Sequence, residues 1–81
     1  MMSVTVFTQK SCASCGMLKK FLAYKNIKYE EVNLDEHPER RAEAQLLSGM
    51  LTVPITIVKK QDNSQKVIVG YNPAKLAPAL A

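Results

Sequence analysis

Cys12 and Cys15 are the only cysteines in the chain, and Ala13 and Ser14 separate them. A thiolate can attack a disulfide sulfur, and a second thiol within reach can then displace the first product. A close pair therefore suits two-electron thiol–disulfide exchange. A separation of three puts both sulfurs on one face of a helical turn, near enough to close a disulfide between them. Such a short loop cannot staple a scaffold, because closing it constrains little chain. A closed zinc site needs more nitrogen and sulfur ligands than the two thiols and His37, the single histidine, so no metal is expected. The other reading is a pair of inert thiols packed as small hydrophobes. Lys10, Ser11 and Ser14 around the pair make a poor core setting, which favours redox chemistry.

The elements around the pair must present it. Residues 3–7 alternate with a two-residue period and are β-branched, which predicts a strand. Residues 17–24 predict a helix, with Leu18, Phe21, Leu22 and Lys25 at helical spacing and Lys19 and Lys20 opposite. The thiols thus stand where strand gives way to helix. There, unpaired backbone N–H groups and the positive end of the helix dipole lower a thiol's pKa. Cys12, outermost, is the expected attacking sulfur, and Cys15, one turn in, the resolving one. Gly16 is expected to allow a close approach behind Cys15. The loop Thr8-Gln9-Lys10-Ser11 would hold the pair at the carboxyl edge of a sheet, where open α/β sheets build their sites.

Residues 28–34 predict a second strand. His37-Pro38 opens a second helix running to residue 47 or 48, with Ala42, Leu46, Leu47 and Met50 facing inward and Gly49 ending it. His37 is expected to cap that helix, and the acids near its start suit the dipole. Residues 54–58 and 66–69 predict two more strands around a turn at 61–64. Residues 73–80 predict a last helix, interrupted by Pro78. Met17, Met50, Phe21, Tyr24 and Tyr29 are expected as packing residues. The order is β-α-β-α-β-β-α. It implies a parallel crossover first, a hairpin last, and a four-stranded mixed sheet with helices on both faces.

Eighty-one residues, 47% of them apolar, fit one domain spanning residues 1–81 and exclude disordered or collagen-like classes. No apolar run reaches a membrane span, and residues 1–10 lack a signal-peptide core, so a cytoplasmic, membrane-free protein is expected. The net charge is +4, yet six of the seven acids lie within residues 30–43. The cysteine-bearing third is therefore basic, which can favour a thiolate and attract acidic partners. Its lysines are not interleaved with aromatics, so nucleic-acid binding is not expected.

Pro54 follows Thr52-Val53 and opens a strand, where its missing donor does least harm. A cis Val53–Pro54 bond would leave the Val53 backbone free to pair with an extended substrate, while an ordinary trans edge proline is the alternative. Together, Thr8-x-x-x-Cys12-x-x-Cys15, Thr52-Val53-Pro54 and Gly70-Tyr71-Asn72-Pro73 resemble the glutaredoxin branch of the thioredoxin fold over nearly the whole chain. Within it, the sequence is most similar to NrdH-type redoxins. The resemblance implies that Cys12 is nucleophile, Cys15 resolver and Pro54 cis. It implies that Lys10, Ser11, Ala13, Ser14, Thr52, Val53, Pro54, Gly70 and Tyr71 meet the substrate or partner. It implies a dithiol carrier for protein disulfides, including that of ribonucleotide reductase, recycled by thioredoxin reductase, acting as a monomer without a tightly bound cofactor.

The alternative is a glutathione-dependent glutaredoxin. Glutaredoxins usually place a proline and an aromatic between the cysteines, a basic residue at the position of Gln9, and Gly-Gly with a nearby aspartate where Gly70-Tyr71-Asn72-Pro73-Ala74 stands. The NrdH pattern usually has an arginine and an aspartate at Asn72 and Ala74. Tyr71 can lie over the groove beside the cysteines or cover the last helix. A module binding an iron–sulfur cluster between two chains is the alternative from another class; there Cys15 would compete by forming a disulfide.

Overall fold

The computed structural model describes residues 3–49 and 52–80. Among them are β1 (Ser3–Thr8), α1 (Ala13–Tyr24), β2 (Glu30–Asn33), a 3-10 turn at Pro38–Arg40, α2 (Arg41–Ser48), β3 (Ile55–Lys59), β4 (Gln65–Val69) and α3 (Pro73–Leu80). The four strands form one sheet in the order β2-β1-β3-β4. β1 pairs parallel to β2 and antiparallel to β3, and β3 and β4 form the antiparallel hairpin. The expected order and mixed sheet are both present.

Alternation in β1 sends its side chains to two separate cores. Val4 and Val6 join Leu18, Leu22, Val58, Ile68, Leu76 and Ala79, which sets α1 and α3 on one face. Phe7 joins Val32, Leu34, Ala44, Ile55 and Ile57, which sets α2 on the other. β3 lies between two neighbours and under helices on both faces, and its first four residues are all buried. That explains its continuous apolar run. Thr56 breaks the run. Its hydroxyl is fully buried and finds no partner among the described residues.

α1 begins at Ala13, four residues before the apolar period becomes visible, and Cys12 is its N-cap. It ends where Asn26 takes φ 56°. There Ile27 N–H reaches the Leu22 carbonyl at 2.9 Å and Asn26 N–H the Ala23 carbonyl at 3.0 Å. This paired closure satisfies two terminal carbonyls, with asparagine in the usual glycine position. At the sheet's far end the hairpin turn has Asn63 at φ 67°. Bonds from Ser64 hold the Asp62 carboxyl below its usual range, so their small support is present at neutral pH and lost as acid protonates it.

Several expectations are corrected. α2 buries Ala44, while Leu46 is 86% and Leu47 38% exposed and Ala42 faces solvent. Arg40 lies 5.7 Å over the Phe7 ring and Arg41 bonds Asp35, so the helix is turned with 41, 44 and 48 toward the sheet. A small alanine at the contact lets the helix close on Phe7 and Ile55. Met50 lies outside the described residues. Met17 is 49% and Tyr24 85% exposed, so neither is a packing residue, whereas Phe21 and Tyr29 do pack on the core. α3 continues through Pro78 to Leu80. The proline falls in an exposed last turn, where it forgoes one helical bond. β2 is shorter than its pattern suggested. His37 occupies the cap position of the 3-10 turn without a side-chain cap, its Nδ1 lying 3.3 Å from Glu39 Oε2.

Leu22→Ala should cost about 2–5 kcal/mol of unfolding free energy, and Leu46→Ala less than about 0.5 kcal/mol, in urea titrations. Thr56→Val should stabilise the protein by about 1 kcal/mol, because it removes a buried hydroxyl with no partner among the described residues.

Candidate functional site

At the carboxyl end of β1 the chain leaves the sheet, turns through Lys10 and Ser11, and enters α1 at Cys12. Cys12 has extended backbone angles (φ −124°, ψ 102°), as an N-cap residue must, and its sulfur accepts the Cys15 N–H at 3.1 Å. A sulfur thus fills the role usually taken by a serine or aspartate oxygen. No acid stands in the first turn of α1 to oppose a negative sulfur there.

Cys12 and Cys15 are joined in a disulfide, with Cα atoms 5.3 Å apart. Their settings differ sharply. Cys12 is half-buried at the helix start, whereas Cys15 is 2% exposed, in line with Leu18 and Leu22 on the inward face of α1. Spacing fixed their proximity, position at the helix start marked Cys12 as the outer thiol, and the rotation of α1 on the sheet agrees. Gly16 does not serve a close approach: a Cβ there would meet nothing within 4 Å.

Below the pair, Thr8 is buried at 1% exposure and its hydroxyl donates to Glu31 Oε2 at 2.8 Å. The same carboxylate oxygen meets Lys19 Nζ at 3.2 Å. Lys19, on the side of α1 opposite its apolar residues, is therefore a half-exposed partner of Glu31, a pairing worth at most about 1 kcal/mol.

The Val53–Pro54 peptide is cis, as the resemblance implied. Register places it beside the cysteines: Phe7 pairs with Ile55, so residues 52–54 reach the sheet end where Cys12 lies. Gly70, at φ 82°, donates its N–H to the Pro54 carbonyl at 2.7 Å, which ties the Gly70 loop to the proline. The positive φ accounts for glycine at that point. Thr52 is exposed, Val53 half-buried and Pro54 buried; Lys10, Ser11 and Ala13 are exposed and Ser14 half-buried. Tyr71 packs edge-on against Phe21, with ring centroids 6.2 Å apart, so it leans on α1 rather than on α3 alone.

Sequence reading overlooked Asp35 and Arg41. The Asp35 carboxylate accepts the Lys10 backbone N–H at 2.7 Å, and its other oxygen lies 3.4 Å from Arg41 Nη2. With the Gln9 amide turned so that its oxygen faces the guanidinium, that oxygen accepts from Arg41 Nη1 at 2.6 Å. The available signal was the parallel crossover, which sends the chain after β2 out beside the chain after β1.

A mixed sheet of this order, carrying a Cys-x-x-Cys pair at the helix start beyond its first strand, defines a thiol–disulfide oxidoreductase of the thioredoxin-like fold. The glutaredoxin family model matches residues 4–62, and the chain belongs to the glutaredoxin family. It is 34% identical to the glutaredoxin-like protein NrdH of Lactococcus lactis subsp. lactis over 74 residues, covering 91% of this chain and 94% of that protein. The Archaeoglobus fulgidus glutaredoxin structure superposes with a TM-score of 0.79 at 26% identity, covering 99% of this chain and 87% of that one. The glutaredoxin-like NrdH-redoxin of Escherichia coli superposes with a TM-score of 0.72 at 25% identity, covering 94% and 92% respectively.

Limiting iodoacetamide added to the reduced protein should alkylate Cys12 well ahead of Cys15, as read by peptide mass mapping, because only Cys12 is accessible.

Proposed function

We propose that the chain is a small dithiol carrier that reduces protein disulfides, with Cys12 as the attacking sulfur and Cys15 as the resolving one. The observation that carries this reading is the asymmetry of the pair: Cys12 caps α1 at the surface and Cys15 is buried behind it. The Cys12 thiolate attacks one sulfur of the substrate disulfide, forming a mixed disulfide and expelling the other sulfur, which takes up a proton. Cys15 then gives up its proton and attacks Cys12. This releases the second substrate thiol and closes Cys12–Cys15, so two electrons have passed to the substrate.

Lys10, Ser11, Ala13 and Ser14 are chain neighbours of the half-buried Cys12, and Thr52, Val53, Pro54 and Gly70 lie at the same sheet end, before β3 and after β4. We assign these residues, with Tyr71 at the rim, to substrate contact. Their shared sheet end, given by the β1–β3 register, supports the assignment. An extended substrate segment would pair with the Val53 backbone.

Thioredoxin reductase is the proposed electron donor and the disulfide of ribonucleotide reductase the proposed substrate. The likeness to proteins named NrdH supports both, and the thioredoxin-like activity profile described for the E. coli NrdH-redoxin supports the donor. Glutathione is the less favoured donor. Gln9 stands where glutaredoxins keep a cation, with Lys10 adjacent, and in its turned orientation the Gln9 amide oxygen accepts from Arg41. The loop at residues 70–74 offers no carboxylate. The proposed working form is a monomer in the cytoplasm.

Cys12→Ser should abolish reduction of insulin disulfides, and Cys15→Ser should accumulate mixed disulfides visible by mass spectrometry. Full activity in Cys12→Ser would overturn the assignment. With NADPH present, thioredoxin reductase should recycle the protein faster than glutathione plus glutathione reductase; recycling by the glutathione system alone would overturn the donor.

A further inference from the structure

We infer that Asp35 and Arg41 are positioning residues for Cys12, a brace that holds the loop before it in the pose that caps α1. The proposal rests on Cys12 being the attacking sulfur and adds what places it. Thr8 pairs with Asn33 where β1 and β2 leave the sheet, and Leu34 N–H bonds the Thr8 carbonyl at 2.8 Å. The two outgoing segments therefore run side by side. The Asn33 side chain then turns the second one, accepting the Asp35 N–H at 2.8 Å, and the turn delivers the Asp35 carboxylate to the first.

One carboxylate oxygen accepts the Lys10 N–H at 2.7 Å, and Arg41 links the other oxygen to the Gln9 amide. Gln9 and Lys10 are thus held at both side chain and backbone, two residues before Cys12. Among the described residues, these bonds hold the segment 9–11, which has no ladder of its own. A residue can cap a helix only if the chain enters it at the right angle, so whatever fixes Lys10 fixes how well the Cys12 sulfur meets the Cys15 N–H. The Arg41 charge also offsets the Asp35 charge, so the brace adds little net field at the thiolate.

The sign of the effect separates the brace from simple electrostatics. Removing the Asp35 carboxylate frees the Arg41 cation, which by charge alone would lower the Cys12 pKa. Losing the brace weakens the cap and raises it. The test is the pH dependence of Cys12 alkylation by iodoacetamide in reduced protein carrying Cys15→Ser, with folding checked by circular dichroism. In that parent, the midpoint should lie below the roughly 8.5 of a free thiol. Asp35→Ala should move it upward and slow alkylation at neutral pH by about fivefold, the worth of one hydrogen bond, with no loss at alkaline pH, where every thiol is ionised. Asp35→Asn keeps an acceptor for Lys10 and should restore most of the rate. Gln9→Ala, which cuts the Arg41 link without a change of charge, should move the midpoint upward by less and serves if Asp35→Ala does not fold.

A midpoint that stays or falls in Asp35→Ala, or a loss that persists on the alkaline plateau, would overturn the brace while leaving the dithiol carrier intact. A parent that titrates like a free thiol would instead overturn the activated Cys12, and the brace with it.

Discussion

The backbone N–H groups at the start of α1 have no carbonyl ahead of them within the helix, and the chain answers this with a sulfur. Cys12 accepts the Cys15 N–H, so the atom expected to react is also the atom that begins the helix. Much else in the structure serves that arrangement. β1 must end pointing at the helix start, α1 must be rotated so that Cys15 lies beneath Cys12, and the intervening loop must not wander. The helix rotation is enforced by Leu18 and Leu22, both fully buried against the sheet. Burying two leucines contributes several kcal/mol, more than any single polar contact near the site.

The sheet supplies the frame because its two inner strands are clamped on both faces. Each odd-numbered apolar residue of β1 and β3 faces α2 and each even-numbered one faces α1 and α3, which leaves little freedom for a slip of register. That register carries the cis Val53–Pro54 peptide to the cysteine end. The edge strands are treated differently: β2 is short and acidic, and β4 carries Lys66. Charges on edges discourage pairing with other chains.

Local signals served the sequence reading well where one residue type has one strong physical preference. Gly49 ends α2 at φ 75°, the alternation of residues 3–7 gives a strand, and the Cys-x-x-Cys spacing gives a disulfide within one turn. They served poorly where two faces compete. Leu46 and Leu47 look like the inward side of α2, yet Arg40 on Phe7 and Arg41 on Asp35 hold the opposite side to the sheet. Met17 and Tyr24 likewise stay exposed because α1 had already filled its contact with Leu18 and Leu22.

By itself, the sequence determined the chemistry and the order of elements, because thiol spacing, strand alternation and helix ends are properties of neighbouring residues. Which cysteine is outermost also followed from their places at the helix start, whereas tertiary structure alone decided which of α2's faces is inward. It also brought Asp35 and Arg41, more than twenty residues downstream, against the loop of Gln9 and Lys10. The reason is physical. Those outcomes depend on how two parallel strands leave a sheet side by side and on which helix face closes best over Phe7 and Ile55, and no local pattern encodes either.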